Sequence, residues 1–331
     1  MSELQHHDWM GESLSHPPLL PGPVALEPFR SDLFVDAVAS GGGALQPLDH
    51  TTKGLLWVSP SGAEELQGIL DTHPGIDWIQ LPWAGVDAFA SVLEHIAAMP
   101  RSQRPVVPSA KGAYSEPVAE HALALLLGCM RELPRKAREA HWQEERTGIS
   151  LFGRNIVLLG AGGVARAFID VVAPFRPHIT VVRRGAENVP GAQRTVSSEH
   201  LHSVLADADA VVVAAAATSQ TAHVIGRAEL DVMPDHAVLV NIARGSLVDA
   251  DAVVDAVAAG TLFGAGLDVM DPEPFPNDHA IWQEHKIVIS SHSADTPPMT
   301  APLLARRISA NVAAFMASRP LLGVVDVEAG Y

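Results

Sequence analysis

The stretch "IVLLGAGGVARAF", residues 156–168, decides the fold. Four apolar residues of strand type run into a glycine turn, and an apolar segment with helical spacing follows. Gly160, Gly162 and Ala165 stand there as G-x-G-x-x-A. In that pattern the first glycine permits the tight turn and the second lets a pyrophosphate approach the backbone. The small third residue lets the helix pack on the strand. The N–H groups of the helix start, at Gly163 and Val164, then meet phosphate oxygens. Glycine-rich turns also arise for packing alone, so the motif points to a dinucleotide only inside a βαβ unit.

That context surrounds it. From Arg154 onward, "RNIVLLGAG", "HITVVRR", "DAVVVAAA", "AVLVNIAR", "GAGLDVM" and "KIVISSH" are apolar runs on strand scale. Helical stretches such as "VARAFIDVVAPF", "SEHLHSVLADA" and "DADAVVDAVAAG" lie between most of them. Apolar strands alternating with amphipathic helices predict a parallel sheet covered on both faces, a doubly wound α/β design. The first third alternates in the same way, with strands at "PVALEP", "GLLWVSP", "IDWIQLPWAGVDAF" and "RPVVPSA" and a helix at "AEELQGILDTH". "EPVAEHALALLLGCMRELPRKAREAHWQ" predicts one long helix, apolar at first and charged later, connecting two domains. "TAPLLARRISANVAAFMASR" predicts a closing helix. The 1–22 segment, rich in His, Pro and Ser, reads as a loose arm.

Composition narrows the function. The 331 residues suffice for two domains, and 47% hydrophobic with 18% charged residues is a globular balance. A formal net charge of −16 argues against non-specific nucleic-acid binding, which needs a basic patch. Apolar runs such as "VAEHALALLLGCM" end short of membrane-spanning length, and His121 interrupts this one. The N-terminus lacks a signal-peptide pattern. Cys129 is the only cysteine, which excludes an internal disulfide and favours a reducing compartment. A cytoplasmic protein without a metal is the expectation.

Against that acidic background, "HITVVRRGAE" (178–187) ends its strand in Arg183 and Arg184. An NAD site places a carboxylate near this point, on the adenosine ribose. Here no carboxylate occurs until Glu187. A guanidinium instead suits a 2′-phosphate, which it binds through two parallel hydrogen bonds. The arginines therefore predict NADP(H) as preferred cofactor, with NAD(H) as the alternative and Arg183 the principal contact.

The densest text is "LVNIARGSLVDADAVVDAVAAGTLFGAGLDVMDPEPFP" followed by "IVISSHSADTP". It resembles the D-isomer-specific 2-hydroxyacid dehydrogenase family, in a glyoxylate/hydroxypyruvate reductase-like form. The resemblance runs from "IQLPWAGVD" to the C-terminus and is densest from Leu151 to His292. It implies that Arg244, after Asn241, binds the substrate carboxylate and carbonyl, for which a planar guanidinium that keeps its charge is suited. His292 matches the family's acid–base histidine and Glu273 the carboxylate that orients it; such a neighbour favours a protonated imidazole. Asp268 matches the residue that holds the nicotinamide carboxamide, while Thr218 and Ala243 match the cofactor cavity. The backbone of Ala84 and Gly85 matches the loop that meets the substrate carboxylate. Trp83 beside it either narrows the pocket or packs, and Trp142 matches a residue that in some relatives approaches the neighbouring subunit's site.

The resemblance further implies a Rossmann cofactor domain (114–297) inserted into a smaller flavodoxin-like substrate domain (1–113 and 298–331), in a homodimer. Its substrate class is a small 2-oxo or 2-hydroxy acid, with no nucleic acid and no membrane partner. Two departures touch supporting positions: Ala216 replaces a proline of the cofactor cavity, and Ser291 replaces the proline before the histidine. Two other readings stay open. One is a non-catalytic NAD(P)-sensing protein, since the related C-terminal-binding corepressors keep the same Arg, Glu and His. The other is a dehydrogenase of 3-phosphoglycerate, phosphite or formate; Glu273 argues against formate, whose enzymes carry glutamine there.

Overall fold

The computed structural model describes residues 14–185 and 187–330. They divide into two compact units. One joins the described residues up to Tyr114 with those from Thr296 onward, and the other spans Ser115–Asp295.

The first unit begins with β1 (Val24–Glu27), α1 (Asp32–Ser40), β2 (Gly54–Trp57), α2 (Ala63–Thr72), β3 (Trp78–Gln80) and α3 (Ala90–Ala98). The strands pair in parallel in the order β1-β2-β3. Parallel bridges add Leu45 beside Val24 and Val106 beside Trp78. Counted in chain order, the five segments lie as 2-1-3-4-5, the flavodoxin-like arrangement. The "RPVVPSA" stretch thus joins the sheet through one bridge rather than a full strand, because its prolines lack ladder donors.

The second unit contains α4 (Ser115–Met130), α5 (Leu133–Lys136), β4 (Asn155–Leu159), α6 (Gly163–Val172), β5 (His178–Arg183) and β6 (Arg194–Ser197). It continues through α7 (Leu201–Leu205), β7 (Ala210–Val213), α8 (Arg227–Val232), β8 (Val238–Asn241), α9 (Ala250–Ala259), β9 (Gly264–Leu267) and β10 (Ile287–Ile289). All seven strands are parallel, in the order β10-β9-β8-β7-β4-β5-β6. Read from β6, this is the doubly wound 3-2-1-4-5-6 order with one added strand, reversing between β4 and β7. Strands β7 and β8 are buried throughout, as a sheet covered on both faces requires. Leu205, Val211, Val213 and Leu239 are fully buried in its core; each such side chain contributes about 1.5–3 kcal/mol. Helix α10 (Pro297–Met316) returns to the first unit. There its buried Arg307 donates to the carbonyls of Ser109 and Lys111, and Asn311 donates to Gln80.

Three expectations need correction. The long helix stops at Met130: Glu132 takes a left-handed φ of 52°, α5 follows with Pro134 in its first turn, and no regular helix runs through 137–150. Pro134 has no N–H to extend a helix, and the charged stretch beyond has no apolar face to bury. Trp142 therefore sits outside any helix, 93% exposed. The sheet also gains β6, whose short "RTVS" carries little apolar signal because it forms the edge. Finally, residues 1–13 of the expected loose arm lie outside the described residues, but the rest of it is tied down. His16 accepts a hydrogen bond from the Leu321 N–H, and Leu19 packs on the first unit's core. Among the described residues, no helix is long and apolar enough to cross a membrane.

Candidate active site

The glycine turn joins β4 to α6 at the reversal of strand order. Gly160 has φ +108°, and a Cβ there would stand 2.5 Å from the Ala214 carbonyl oxygen. Only glycine meets both demands. Gly162 caps α6 with extended backbone, and a Cβ on it would find no atom within 4 Å. Open space over a helix N-terminus, beginning at Gly163 and Val164, fits the pyrophosphate of a dinucleotide. Ala165 is fully buried, as the third position of the motif demands.

Arg183 closes β5 and Arg184 follows it, at the same C-terminal end of the parallel strands as the glycine turn. Arg183 Nη1 lies 3.3 Å from Glu187 Oε2, an ion pair whose carboxylate side is 72% exposed. An exposed i,i+4 pair of this kind is worth little and opens readily. Beyond β7, the Thr218 N–H donates to Thr221 Oγ1 at 2.8 Å, while the Thr221 hydroxyl donates to the Ala216 carbonyl. This hydroxyl turn shapes the loop that carries Ala216.

The three strands that follow carry Arg244, Glu273 and His292 in the segments beyond their C-terminal ends. Past β8, Asn241 brackets its turn: its side-chain oxygen accepts from the Ala243 N–H and its amide donates to the Arg244 carbonyl. Arg244 is half-buried and donates to the Ala243 carbonyl at 2.7 Å. A Cβ on Gly245 would fall on the Met270 carbonyl, so the glycine is what lets the Arg244 turn lie against the segment leading to Glu273. One Glu273 oxygen accepts from the Met270 N–H at 2.9 Å and the other lies 2.7 Å from His292 Nδ1. The first bond fixes the carboxylate and the second fixes the imidazole, leaving the ring's Nε2 for other chemistry.

Asp268, directly after β9, is almost completely buried. Its carboxylate accepts from Ser290 Oγ at 2.7 Å, the Ser293 N–H at 2.9 Å and the Ala294 N–H at 3.1 Å. Its carbonyl accepts from the His292 N–H. Burial pushes its pKa up, yet the hydrogen bonds from His121, Ser290 and the two backbone N–H groups prevail and bring it down to about 2. The loop so gripped is strained, because Ser291 and His292 both lie in the left-handed region, at φ +50° and +53°. Such a conformation costs about 1–3 kcal/mol per non-glycine residue and persists only where surroundings enforce it. A proline at 291 could not adopt it, since its ring holds φ near −65°.

Three participants went unassigned in the sequence. His121 and Ser290 contact Asp268, and Asp295 lies within electrostatic reach of His292, Arg244 and Asp268. Burial raises the Asp295 pKa, against the lowering influence of His292 and Arg244. His121 left one signal, a polar residue within an apolar helical run; Ser290 and Asp295 left none. Ala84 and Gly85 belong to the first unit, in the loop after β3, with Ala84 exposed. Trp83 beside them is a packing residue: its ring meets Tyr114 edge-on at 6.3 Å and its Nε1–H points to the Pro60 carbonyl.

Known proteins share this fold. Residues 123–294 match the family described as D-isomer specific 2-hydroxyacid dehydrogenase, NAD binding domain. A Corynebacterium melassecola protein, named only as the uncharacterized protein in the proB 3′ region, is 30% identical over 302 residues, covering 89% of this chain and 95% of that one. The glyoxylate reductase of Korarchaeum cryptofilum is 30% identical over 227 residues, covering 63% of this chain and 65% of the reductase. The structure of the TT0316 protein from Thermus thermophilus superposes with a TM-score of 0.72 at 27% identity, covering 92% of this chain and 100% of that one. The chain belongs to the D-isomer-specific 2-hydroxyacid dehydrogenase family, and so to the nicotinamide-dependent oxidoreductases of 2-hydroxy and 2-oxo acids.

Proposed function

We propose that the protein reduces a small 2-oxo acid, of the glyoxylate or hydroxypyruvate class, to the D-2-hydroxy acid, with NADPH as preferred donor. The observation that carries this reading is the pair formed by His292, beyond β10, and Glu273, in the segment after β9, with Arg244 in the turn after β8. Open parallel sheets bind ligands at those ends. The nicotinamide, when bound, supplies the hydride. Arg244 holds the substrate carboxylate and polarises its carbonyl, with the backbone of Ala84 and Gly85 as further carboxylate donors. His292 gives its Nε2 proton to the carbonyl oxygen, while Glu273 keeps the ring oriented and stabilises its charge. Gly160, Gly162, Gly163 and Val164 receive the pyrophosphate, and Thr218 and Ala243 line the cofactor cavity. Asp268 takes the carboxamide.

The NADPH preference is supported by Arg183 and Arg184 at the end of β5, where the Arg183–Glu187 pair is exposed enough to yield to a 2′-phosphate. We further infer a cytoplasmic homodimer. Leu133, Trp142 and Phe152 leave large apolar side chains exposed in the stretch that follows α4, surface of the kind a second copy covers. Sedimentation velocity on the intact protein tests this, and a monomer at micromolar concentration overturns it. The decisive assay follows cofactor absorbance with a panel of 2-oxo acids and both cofactors. Turnover on glyoxylate or hydroxypyruvate is expected; none on any 2-oxo acid would favour the nucleotide-sensing alternative.

A further inference from the structure

We propose that His121 is a positioning residue for His292, acting from α4 through Ser290 and Asp268. His121 Nε2 lies 2.8 Å from Ser290 Oγ and 3.4 Å from Asp268 Oδ1. The Ser290 hydroxyl has one hydrogen and gives it to Asp268 at 2.7 Å. Its oxygen is then an acceptor toward His121. A ring nitrogen lone pair facing the same anionic oxygen would be repelled, so Nε2 carries a hydrogen and donates it. The helix thereby contributes a directed donor to a carboxylate whose other partners are the N–H groups of Ser293 and Ala294.

These bonds have a mechanical consequence. Ser291 and His292 adopt consecutive left-handed conformations, so the loop stays in place only where something opposes its relaxation. The Asp268 carboxylate bridges the residue before this pair and the two after it, and its own carbonyl holds the His292 N–H. Asp268 can do so only while its carboxylate keeps one orientation. Two groups outside the strained pair and the N–H groups after it fix that orientation: Ser290, directly after β10, which donates to Asp268, and His121 on α4, whose Nε2 is 2.8 Å from Ser290 Oγ and 3.4 Å from Asp268 Oδ1. Helix α4 packs on α6, β8 and β9, which makes it a rigid anchor. The bonds converge on the loop that carries His292, so their loss should lower turnover more than substrate binding. The role rests on the reading of His292 as proton donor.

Three variants test it: His121→Leu, which removes the donor; His121→Gln, whose Nε2 can replace it; and Ser290→Ala, which cuts the middle link. In His121→Leu and Ser290→Ala, kcat should fall about tenfold or more, with KM for the 2-oxo acid within about twofold of wild type. His121→Gln should recover most of kcat. Hydrogen exchange on the cofactor-free protein gives an independent readout. The amides of His292, Ser293 and Ala294 should exchange about tenfold faster in the Leu and Ala variants and slow again in the Gln variant, with the 241–245 turn unchanged. If His121→Leu does not fold, Ser290→Ala reads the same link. Unchanged kcat or unchanged exchange in Ser290→Ala overturns the proposal, as does a KM change as large as the kcat change or failure of the Gln variant to rescue. If the wild type turns over no 2-oxo acid, the functional reading fails while the exchange data still decide the positioning role.

Discussion

Two regions of the second unit perform opposite kinds of work. At the β4–α6 turn the site is made of backbone: Gly160 must be glycine, Gly162 leaves space, and the helix supplies N–H groups. At the ends of β8, β9 and β10 the site is made of side chains that hold one another, and two loop residues are kept in strained conformations. The first region asks for missing atoms, and the second asks for particular polar atoms in register. Damage to the first should appear as lost folding or lost cofactor affinity. Damage to the second should appear as lost turnover in a folded, cofactor-binding protein.

The sharpest division comes from His292→Gln. With the proton donor gone, kcat should drop about a thousandfold, while cofactor affinity from fluorescence titration stays within about twofold. A wild-type kcat would remove His292 from the mechanism. Gly160→Ala attacks the other region, forcing a Cβ against the Ala214 carbonyl at positive φ. It should lose about 2–4 kcal/mol in urea unfolding, and unchanged stability would mean that the turn relaxes.

Acid reaches the second region through Asp268. Its ordinary pKa of 3.8 falls to about 2 in the folded protein, which corresponds to about 2 kcal/mol for this buried group. Because the folded value is the lower one, that stabilisation is fully present above about pH 4 and disappears as pH falls through about 2. Asp268→Asn should therefore flatten the fall in urea stability over that window; a variant with the wild-type slope would contradict the assignment. The smallest effect is expected from Arg183→Ala, which should lower kcat/KM for NADPH about tenfold and leave NADH nearly unaffected.

The same contrast explains what could be read from the sequence. The glycine turn was legible because a steric demand selects one residue type within a few positions, and strand and helix patterns flank it. The apolar strands β4, β7 and β8 were legible for a similar reason, since burial on both faces leaves polar residues only at their ends. Arg244, Glu273 and His292 were legible by resemblance, each standing in a short motif. The network behind His292 was hidden because its bonds join residues far apart in the chain, with His121 and Ser290 separated by 169 positions. No local pattern encodes such a pairing. Edge strand β6 escaped because backbone pairing defines it more than apolar content, and the break after α4 escaped because one proline outweighed a continuous helical propensity.

The most direct test follows cofactor absorbance as purified protein meets glyoxylate or hydroxypyruvate, with NADPH and NADH in parallel. Turnover of a 2-oxo acid with the higher kcat/KM for NADPH is the predicted result. Absence of turnover with both acids and both cofactors would contradict the account, and a clear NADH preference would overturn the role given to Arg183.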